Sequence, residues 1–422
     1  MYTNELKKIS ISGAKNSATR LMAASLICDE KTTLYNFPTS LVDAYYKKLF
    51  IENVGGNIRL DDEKEIAEIE SKNLNNKVLD HYNYPIRTTY LLVPGLLKKT
   101  GEAKVPYPGG CKIGNRGFDL HLMVWKKMGA TVEEKSNYIK VTAKQLHAAE
   151  IDFPITTIGG TETALICGSV AKGTTVIRNA YISPEVFDLI RFLRSIGVDI
   201  EVVGNSFIKV HGTTYHRGTS HRIISDRIEA ITWMIFSAIA EKPMLIENVP
   251  FKDMEIPLTH LQEAGVDFFA NQNSVMISQE CMPNGIQPFE LATGTHPGVI
   301  SDMQPFYVLL GLKANGISRI YDYRYPERIT YLKELAKHTD GGLKWKKGEI
   351  QTTGKVIFKP AHVNSTDLRG SMAVLMAALL SEKKGESVID NIQMAFRGYN
   401  KLDEKLHGLG YSFKINNGSM IV

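Results

Sequence analysis

The chain repeats itself, and that constrains its fold more than any other feature. One unit recurs six times in 422 residues, and a missed repeat mis-assigns a whole fold. The unit opens on a small or polar cluster and continues as a helix rich in Ala, Leu and Met. A short β-branched run follows and ends in Asn or a similar turn residue. A second helix closes in Gly, and a short strand comes after it. The copy starting at Gly159 shows every part: GGTETALICGSVAKG, TTVIRNA, SPEVFDLIRFLRSIG and VDIEVV. The stretches from Gly13, Asp226 and Asp367 match it, and two more diverged copies start near Arg87 and Asp302. Apolar spacing in LMAASLI, ALICGSV and MAVLMAALL predicts helices. Their faces are too apolar for surface helices, so they should pack between sheets. The Gly ending each second helix suits a left-handed cap. Alternating strands and helices predict an α/β protein. A unit of roughly 60–75 residues is too long for a common solenoid, so the six copies should form two three-fold domains of similar size.

Composition narrows the class. A net charge of +5 over 422 residues gives no reason to expect a nucleic-acid partner. With 43% hydrophobic residues, a chain of this length needs no disulfide or metal staple. The cysteines, Cys28, Cys111, Cys167 and Cys281, show no CxxC spacing and no metal-ligand pattern with histidine. No metal is expected, and the usage fits a reducing cytoplasm. No apolar run approaches the roughly 18 residues of a membrane span. The N-terminus, MYTNELKKISISGAK, alternates like a strand and lacks an apolar signal core. A soluble cytoplasmic protein is expected, with no membrane and no obligate protein partner.

The repeat also shows where chemistry should gather. The first helices begin with Lys15-Asn16, Arg87, Thr161-Glu162, Asp226-Arg227, Asp302 and Asp367-Arg369. For Asp226, Asp302 and Asp367, helix capping is as good a reading as a functional one. Converging helix N-termini would make an anion-attracting interior, since N–H groups and the dipole both favour negative charge.

The Pro and Gly content of the segment YPGGCKIGNRGFDLHL, residues 107–122, makes it a loop and not a helix. Lys112 and Arg116 beside Cys111 favour the thiolate. Cys28 and Cys167 sit in apolar helical runs and read as buried packing, as does Cys281. Arg87, Arg116, Arg328, Arg369 and Arg397 lie at junctions of the repeat. Together with Lys15 they suggest a substrate carrying a phosphate and a carboxylate, which the guanidinium fork binds bidentately. GTHPGVISDMQ, residues 294–304, leads to Asp302 at a helix start, where an ionised carboxylate would serve as a base.

At these residues the chain resembles the enolpyruvyl transferase superfamily, and within it the branch acting on UDP-N-acetylglucosamine. SGAKNSA resembles the opening motif, and PGGCKIGNRGFDLHL the catalytic loop PGGC-x-IG-x-R-x-x-DLH. SDRIEA, SDMQ, TDLRGS and RGYNKLDEKLHGLG fall in the family order, so the resemblance covers essentially the whole chain. It implies two inside-out α/β domains, each of three β-α-β-α-β-β units with helices inside. The implied boundaries put residues 1–14 and 225–422 in one domain and 15–224 in the other, which carries the cysteine loop.

The resemblance implies a reaction and roles. The enolpyruvyl group of phosphoenolpyruvate would pass to the 3-hydroxyl of UDP-N-acetylglucosamine with release of phosphate, the first committed step of peptidoglycan synthesis. Lys15, Arg116 and Arg397 would hold the phosphate. Arg328 and Arg369 would hold the carboxylate, with Arg87 adding to the positive cleft. Cys111 would be the general acid and Asp302 the base. Asn16, Thr157, Gly159 and His296 would lie by the sugar nucleotide. Phosphoenolpyruvate is a co-substrate, and no cofactor is implied.

Four stretches depart from the family. Before Gly159 the chain reads FPITTIGG where the family often carries Lys or Tyr with Ser. Pro326-Glu327-Arg328-Ile329 replaces Glu-Asn-Arg-Phe, Arg116-Gly117-Phe118 replaces Arg-Pro-Val, and Met394-Ala395-Phe396 replaces His-Ile-Asp. The residues assigned to phosphoenolpyruvate all survive, while the changes cluster on the acceptor side. Another uridine nucleotide, such as uridine monophosphate in nucleoside-antibiotic synthesis, is therefore the alternative acceptor.

Overall fold

The structure is a computed structural model that describes residues 6–75, 86–107, 109 and 117–422. Its described residues fall into two compact units, one made of 6–12 and 225–422, the other lying within 13–224. Each has its own apolar core.

Four of the first helices are buried along nearly their whole length. In Arg227–Ala240 every residue from Arg227 to Ile239 is buried, and in Leu368–Leu379 every residue from Leu368 to Ala378. Ile158–Val170 is buried from Gly160 onward, and Gln304–Lys313 from Gln304 to Leu312. These helices lack a polar face because none of their faces meets water. The second helices are amphipathic. Pro184–Ser195 starts on Ser183, whose side chain accepts from the Val186 N–H, with Pro184 at the first helical position.

Among the described residues there are six sheets, five of four strands and one of three. In each four-stranded sheet one outer strand pairs in parallel, and the other two pairings are antiparallel. His362–Asn364 runs parallel to Val388–Asp390, which pairs antiparallel with Ser419–Ile421 and then Lys414–Asn416. Side chains alternate: Ile200, Ile208 and Val210 face the core, while Glu201, Lys209 and His211 join across the outside. Within each unit this is the inside-out α/β arrangement that the resemblance implies.

Two strands are exchanged between halves of the chain. Lys7–Ser10 precedes the Lys15–Ala24 helix, yet pairs with Met244–Glu247 beyond the Arg227 helix. Ser220–Arg222 precedes the Arg227 helix, yet pairs with Thr32–Tyr35.

The punctuation read from sequence has a backbone cause. Gly55, Gly129, Gly197, Gly265 and Gly410 end five of the second helices at φ values of 76° to 105°, where a Cβ is strained. Asn36, Asn179, Asn248 and Asn391 close the strands at φ 54–62°. Their side-chain amides tie each strand to its parallel neighbour's end, at Ile223 O, Phe153 O, Ser10 Oγ and Asn364 Oδ1.

One expected helix is broken. AFRGYNKLDEKLHGLG forms Gln393–Phe396 and Leu402–Gly408, with Lys401 at φ 49° between them. Gly398 lies so close to Leu368 that a Cβ there would sit 2.3 Å from Leu368 Cδ2. The Gly398 carbonyl accepts from Arg369 Nη1 at 3.2 Å and not from a helical N–H.

Candidate active site

The two units each gather part of the expected site. In the unit carrying residues 225–422, three buried helices begin at Arg227, Gln304 and Leu368. Asp226 caps the first by accepting from Ile228 N at 2.8 Å and Glu229 N at 3.1 Å. Asp367 caps the third by accepting from Arg369 N and Gly370 N, both at 3.1 Å. The capping reading holds for these two aspartates. It fails for Asp302, whose helix has no side-chain cap.

Asp302 instead accepts from Arg328 Nη1 at 2.6 Å, and its other oxygen lies 3.6 Å from Arg369 Nε. Arg328 also donates to Asp367 from Nη2 at 3.0 Å. Arg328 is 2% exposed and Asp367 0%, whereas the Asp302 side chain keeps 30% exposure. Burial opposes the Arg328 charge, but Asp367 and then Asp302 outweigh it and raise its pKa. Arg369 is equally buried, its guanidinium 5.1 Å over the Tyr399 ring, and the Tyr399 hydroxyl meets Thr232 Oγ1 at 3.0 Å. Asp302, Arg328 and Arg369 are thus brought together. Arg397, buried, ends the short Gln393–Phe396 helix one residue before the Gly398 carbonyl that Arg369 engages. His296 is half-buried in the turn following Glu290–Thr293, which Gly294 N closes on Val299 O at 2.8 Å.

In the unit within 13–224, Lys15 opens its helix and pairs with Asp43 at 2.9 Å. Asn16 Oδ1 accepts from Arg20 Nη1 at 3.1 Å. Arg20 Nε donates to Glu162 Oε1 at 2.9 Å, and Glu162 is 1% exposed. Burial works against both charges: Glu162 is pushed up by it, while Arg20, held by Glu162, ends above its usual value. Lys47, fully buried, donates to Thr88 O at 2.6 Å, and burial followed by Arg20 brings it down to about 7. Arg87 donates to Gly117 O at 2.8 Å. Thr157 caps the Ile158 helix by accepting from Gly160 N at 3.2 Å. Gly159 lies against His121 and Tyr90, whose rings stack with centroids 3.6 Å apart. Burial, then Arg87, lowers the His121 pKa to about 3, and its Nδ1 meets Thr163 Oγ1 at 2.8 Å. Cys111 and Arg116 lie outside the described residues, and the end of the segment expected as a loop is helical, because the apolar spacing from Asp119 carries the Asp119–Lys127 helix once the glycines are passed. Cys28, Cys167 and Cys281 are buried as read, with burial pushing the Cys28 thiol up to about 11.

Sequence reasoning missed the second partner of Arg328, the Arg20–Glu162 pair, buried Lys47 and the Tyr90–His121 stack. The i, i+4 spacing of Asn16 and Arg20 on one helix face was an available signal for their own contact, but nothing local signals Glu162.

This fold, with arginines and acids gathered at buried helix starts, defines the enolpyruvyl transferase class. The family model described as EPSP synthase (3-phosphoshikimate 1-carboxyvinyltransferase) matches residues 4–406, and the chain belongs to that family of enzymes. A UDP-N-acetylglucosamine 1-carboxyvinyltransferase of Carboxydothermus hydrogenoformans is 33% identical over 417 residues, covering 97% of this chain and 96% of that protein. One from Streptococcus pneumoniae is 33% identical over 411 residues, with 97% and 96% covered. Among solved structures, the enolpyruvyl transferase NikO from Streptomyces tendae superposes with a TM-score of 0.87 at 23% identity, covering 99% of this chain and 98% of that one. EPSP synthase from Acinetobacter baumannii gives 0.72 at 17%, covering 96% of each. Among the described residues no helix is long and apolar enough to cross a membrane.

Proposed function

We propose that this enzyme transfers the enolpyruvyl group of phosphoenolpyruvate to the 3-hydroxyl of UDP-N-acetylglucosamine, releasing inorganic phosphate. The observation carrying this reading is full-length identity of 33% to curated relatives bearing that activity in their names. Asp302 takes the hydroxyl proton as the oxygen bonds to C2 of phosphoenolpyruvate, and Cys111 gives a proton to C3. The tetrahedral ketal then loses phosphate from C2 and a proton from C3, restoring the double bond. Arg328 and Arg369 hold the carboxylate, and Lys15, Arg116 and Arg397 the phosphate, with Arg87 adding positive charge. Asn16, Thr157, Gly159 and His296 serve the nucleotide.

One observation favours another uridine nucleotide. The family often carries Lys or Tyr with Ser in the segment before Gly159, whereas this chain reads FPITTIGG there, with Ile155 56% exposed. An exposed isoleucine offers a diphosphate nothing. Phosphate release from phosphoenolpyruvate, measured with UDP-N-acetylglucosamine and uridine monophosphate side by side, tests both. Release with the sugar nucleotide supports the first reading, and release with the monophosphate alone replaces it by the second.

A further inference from the structure

We propose that Arg20, anchored by Glu162, is a positioning residue that fixes which end of the Asn16 carboxamide faces the acceptor nucleotide. The inference rests on the reading that Asn16 serves that nucleotide.

Asn16 and Arg20 stand one turn apart on the Lys15–Ala24 helix. A guanidinium has five donors and no acceptor, so the group it meets on Asn16 must be the oxygen. The 3.1 Å contact from Arg20 Nη1 to Asn16 Oδ1 therefore decides the orientation of the amide, which is otherwise free to flip. Arg20 is held in turn. Its Nε donates to Glu162 Oε1 at 2.9 Å, and Nη1 also reaches Thr19 Oγ1 at 3.3 Å. Glu162 comes from the Ile158–Val170 helix, in the turn after Thr157 and Gly159. The pair thus couples the two helix starts assigned to the nucleotide. Glu162 Oε2 is buried without a hydrogen-bond partner among the described residues. A carboxylate kept this dry is costly unless its cation stays in place.

The chemical consequence is directional. With its oxygen turned toward Arg20, Asn16 presents its N–H donors to a ligand on the other side of the amide. A substrate hydroxyl beside it accepts a hydrogen bond through oxygen, and its own proton is left pointing elsewhere, toward a base. The same amide flipped would accept that proton and hold the hydroxyl in the unreactive sense. Arg20 lies outside the SGAKNSA motif.

The test is a thermodynamic cycle on nucleotide binding. Replacing Arg20 and Glu162 together by Met removes the pair without stranding a buried charge. Binding of UDP-N-acetylglucosamine and uridine monophosphate is measured by calorimetry for the wild type, the Arg20→Met/Glu162→Met variant, Asn16→Ala and the combined triple variant. The wild type's choice of nucleotide reports on the acceptor reading, and the cycle is read on whichever nucleotide binds. The paired variant should bind about tenfold more weakly, and should lose nothing further in the Asn16→Ala background. Its KM for the acceptor should rise while that for phosphoenolpyruvate holds. Glu162→Gln, which keeps the shape, should show a smaller loss with the same dependence on Asn16. Multiplicative losses in the combined variant, or unchanged nucleotide binding in the paired one, would overturn the proposal.

Discussion

Arg328 holds Asp302 at 2.6 Å from a position almost sealed from solvent. The residue expected to grip a substrate carboxylate already grips one of the protein's own. Asp302 is the movable partner, because its side chain is 30% exposed while Asp367, on the other arm of the fork, is fully buried and also caps a helix. A carboxylate beside a guanidinium is a weak base. An incoming carboxylate that takes its place on Arg328 therefore frees Asp302 from that guanidinium. It follows that Asp302→Asn should lose turnover by 100-fold or more, in the usual range for a general base. The same variant should bind phosphoenolpyruvate tighter, by about tenfold, since an internal competitor is gone. Fluorescence titration with phosphoenolpyruvate checks this. Unchanged or weaker binding in Asp302→Asn means that Asp302 does not occupy the carboxylate seat.

The fold was legible wherever a backbone demand has one cheap solution. Five helix-ending glycines and four strand-ending asparagines sit at positive φ, and these are the positions that made the repeat visible. The apolar first helices were equally plain, since a helix without a polar face can only be internal. The broken helix after Met394 was not legible. It depends on Gly398 meeting Leu368 and Arg369, residues about 30 positions away that local spacing does not report. For the same reason Arg328 and Asp302 could be singled out one at a time, but their pairing across 26 residues could not. Asp367 was half-read: its capping role is local, while its bond to Arg328 is tertiary.

Two buried histidines should make the enzyme acid-sensitive above the carboxylate range. His121 is lowered to about 3 and His216 to about 4, both chiefly by burial. His216 is held neutral between Lys98, whose Nζ meets Nδ1 at 2.9 Å, and Ser169 O, 3.1 Å from Nε2. Both folded values lie below the ordinary 6.5. The unfolded chain therefore takes up protons that the native state refuses as pH falls below that value. Stability is full above it and drops on acidification by about 1.4 kcal/mol per pH unit for each histidine. Urea unfolding midpoints between pH 7 and 4.5 should fall accordingly, and His216→Gln should flatten the slope. An identical slope in that variant removes His216 from the account.

Lys47 predicts a dependence at the other end of the scale. It is fully buried and lowered to about 7, by burial and then by Arg20, against a reference of 10.5. Between these values the unfolded chain carries the proton and the native state does not. Stability contributed by this group therefore rises with pH from about 7 toward the unfolded value and is lost on returning to 7. Lys47→Met should abolish the rise, and should be relatively most stabilised near neutrality, where the wild type pays for a buried charge. Denaturant melts at pH 7 and 9.5 decide this. Equal gains for wild type and variant over that interval would exclude Lys47 as the source.

Gly159 tests the nucleotide side without touching a charge. A Cβ built there falls 2.8 Å from both His121 Cε1 and the Tyr90 hydroxyl, closer than real Cβ contacts allow. Neither ring is loose. Tyr90 is 5% and His121 4% exposed, they stack on each other, and His121 is tied to Thr163 at 2.8 Å. The added methyl must push the stack or lift the start of the Ile158 helix, at about 1–3 kcal/mol. Gly159→Ala should therefore lower the unfolding midpoint and weaken nucleotide binding together, with phosphoenolpyruvate affinity unchanged. Tyr90→Phe removes one of the two clashing atoms, so in the Gly159→Ala background it should restore part of the lost stability. If calorimetry finds nucleotide affinity intact while the midpoint falls, Gly159 is there for packing alone and has no part in the acceptor site.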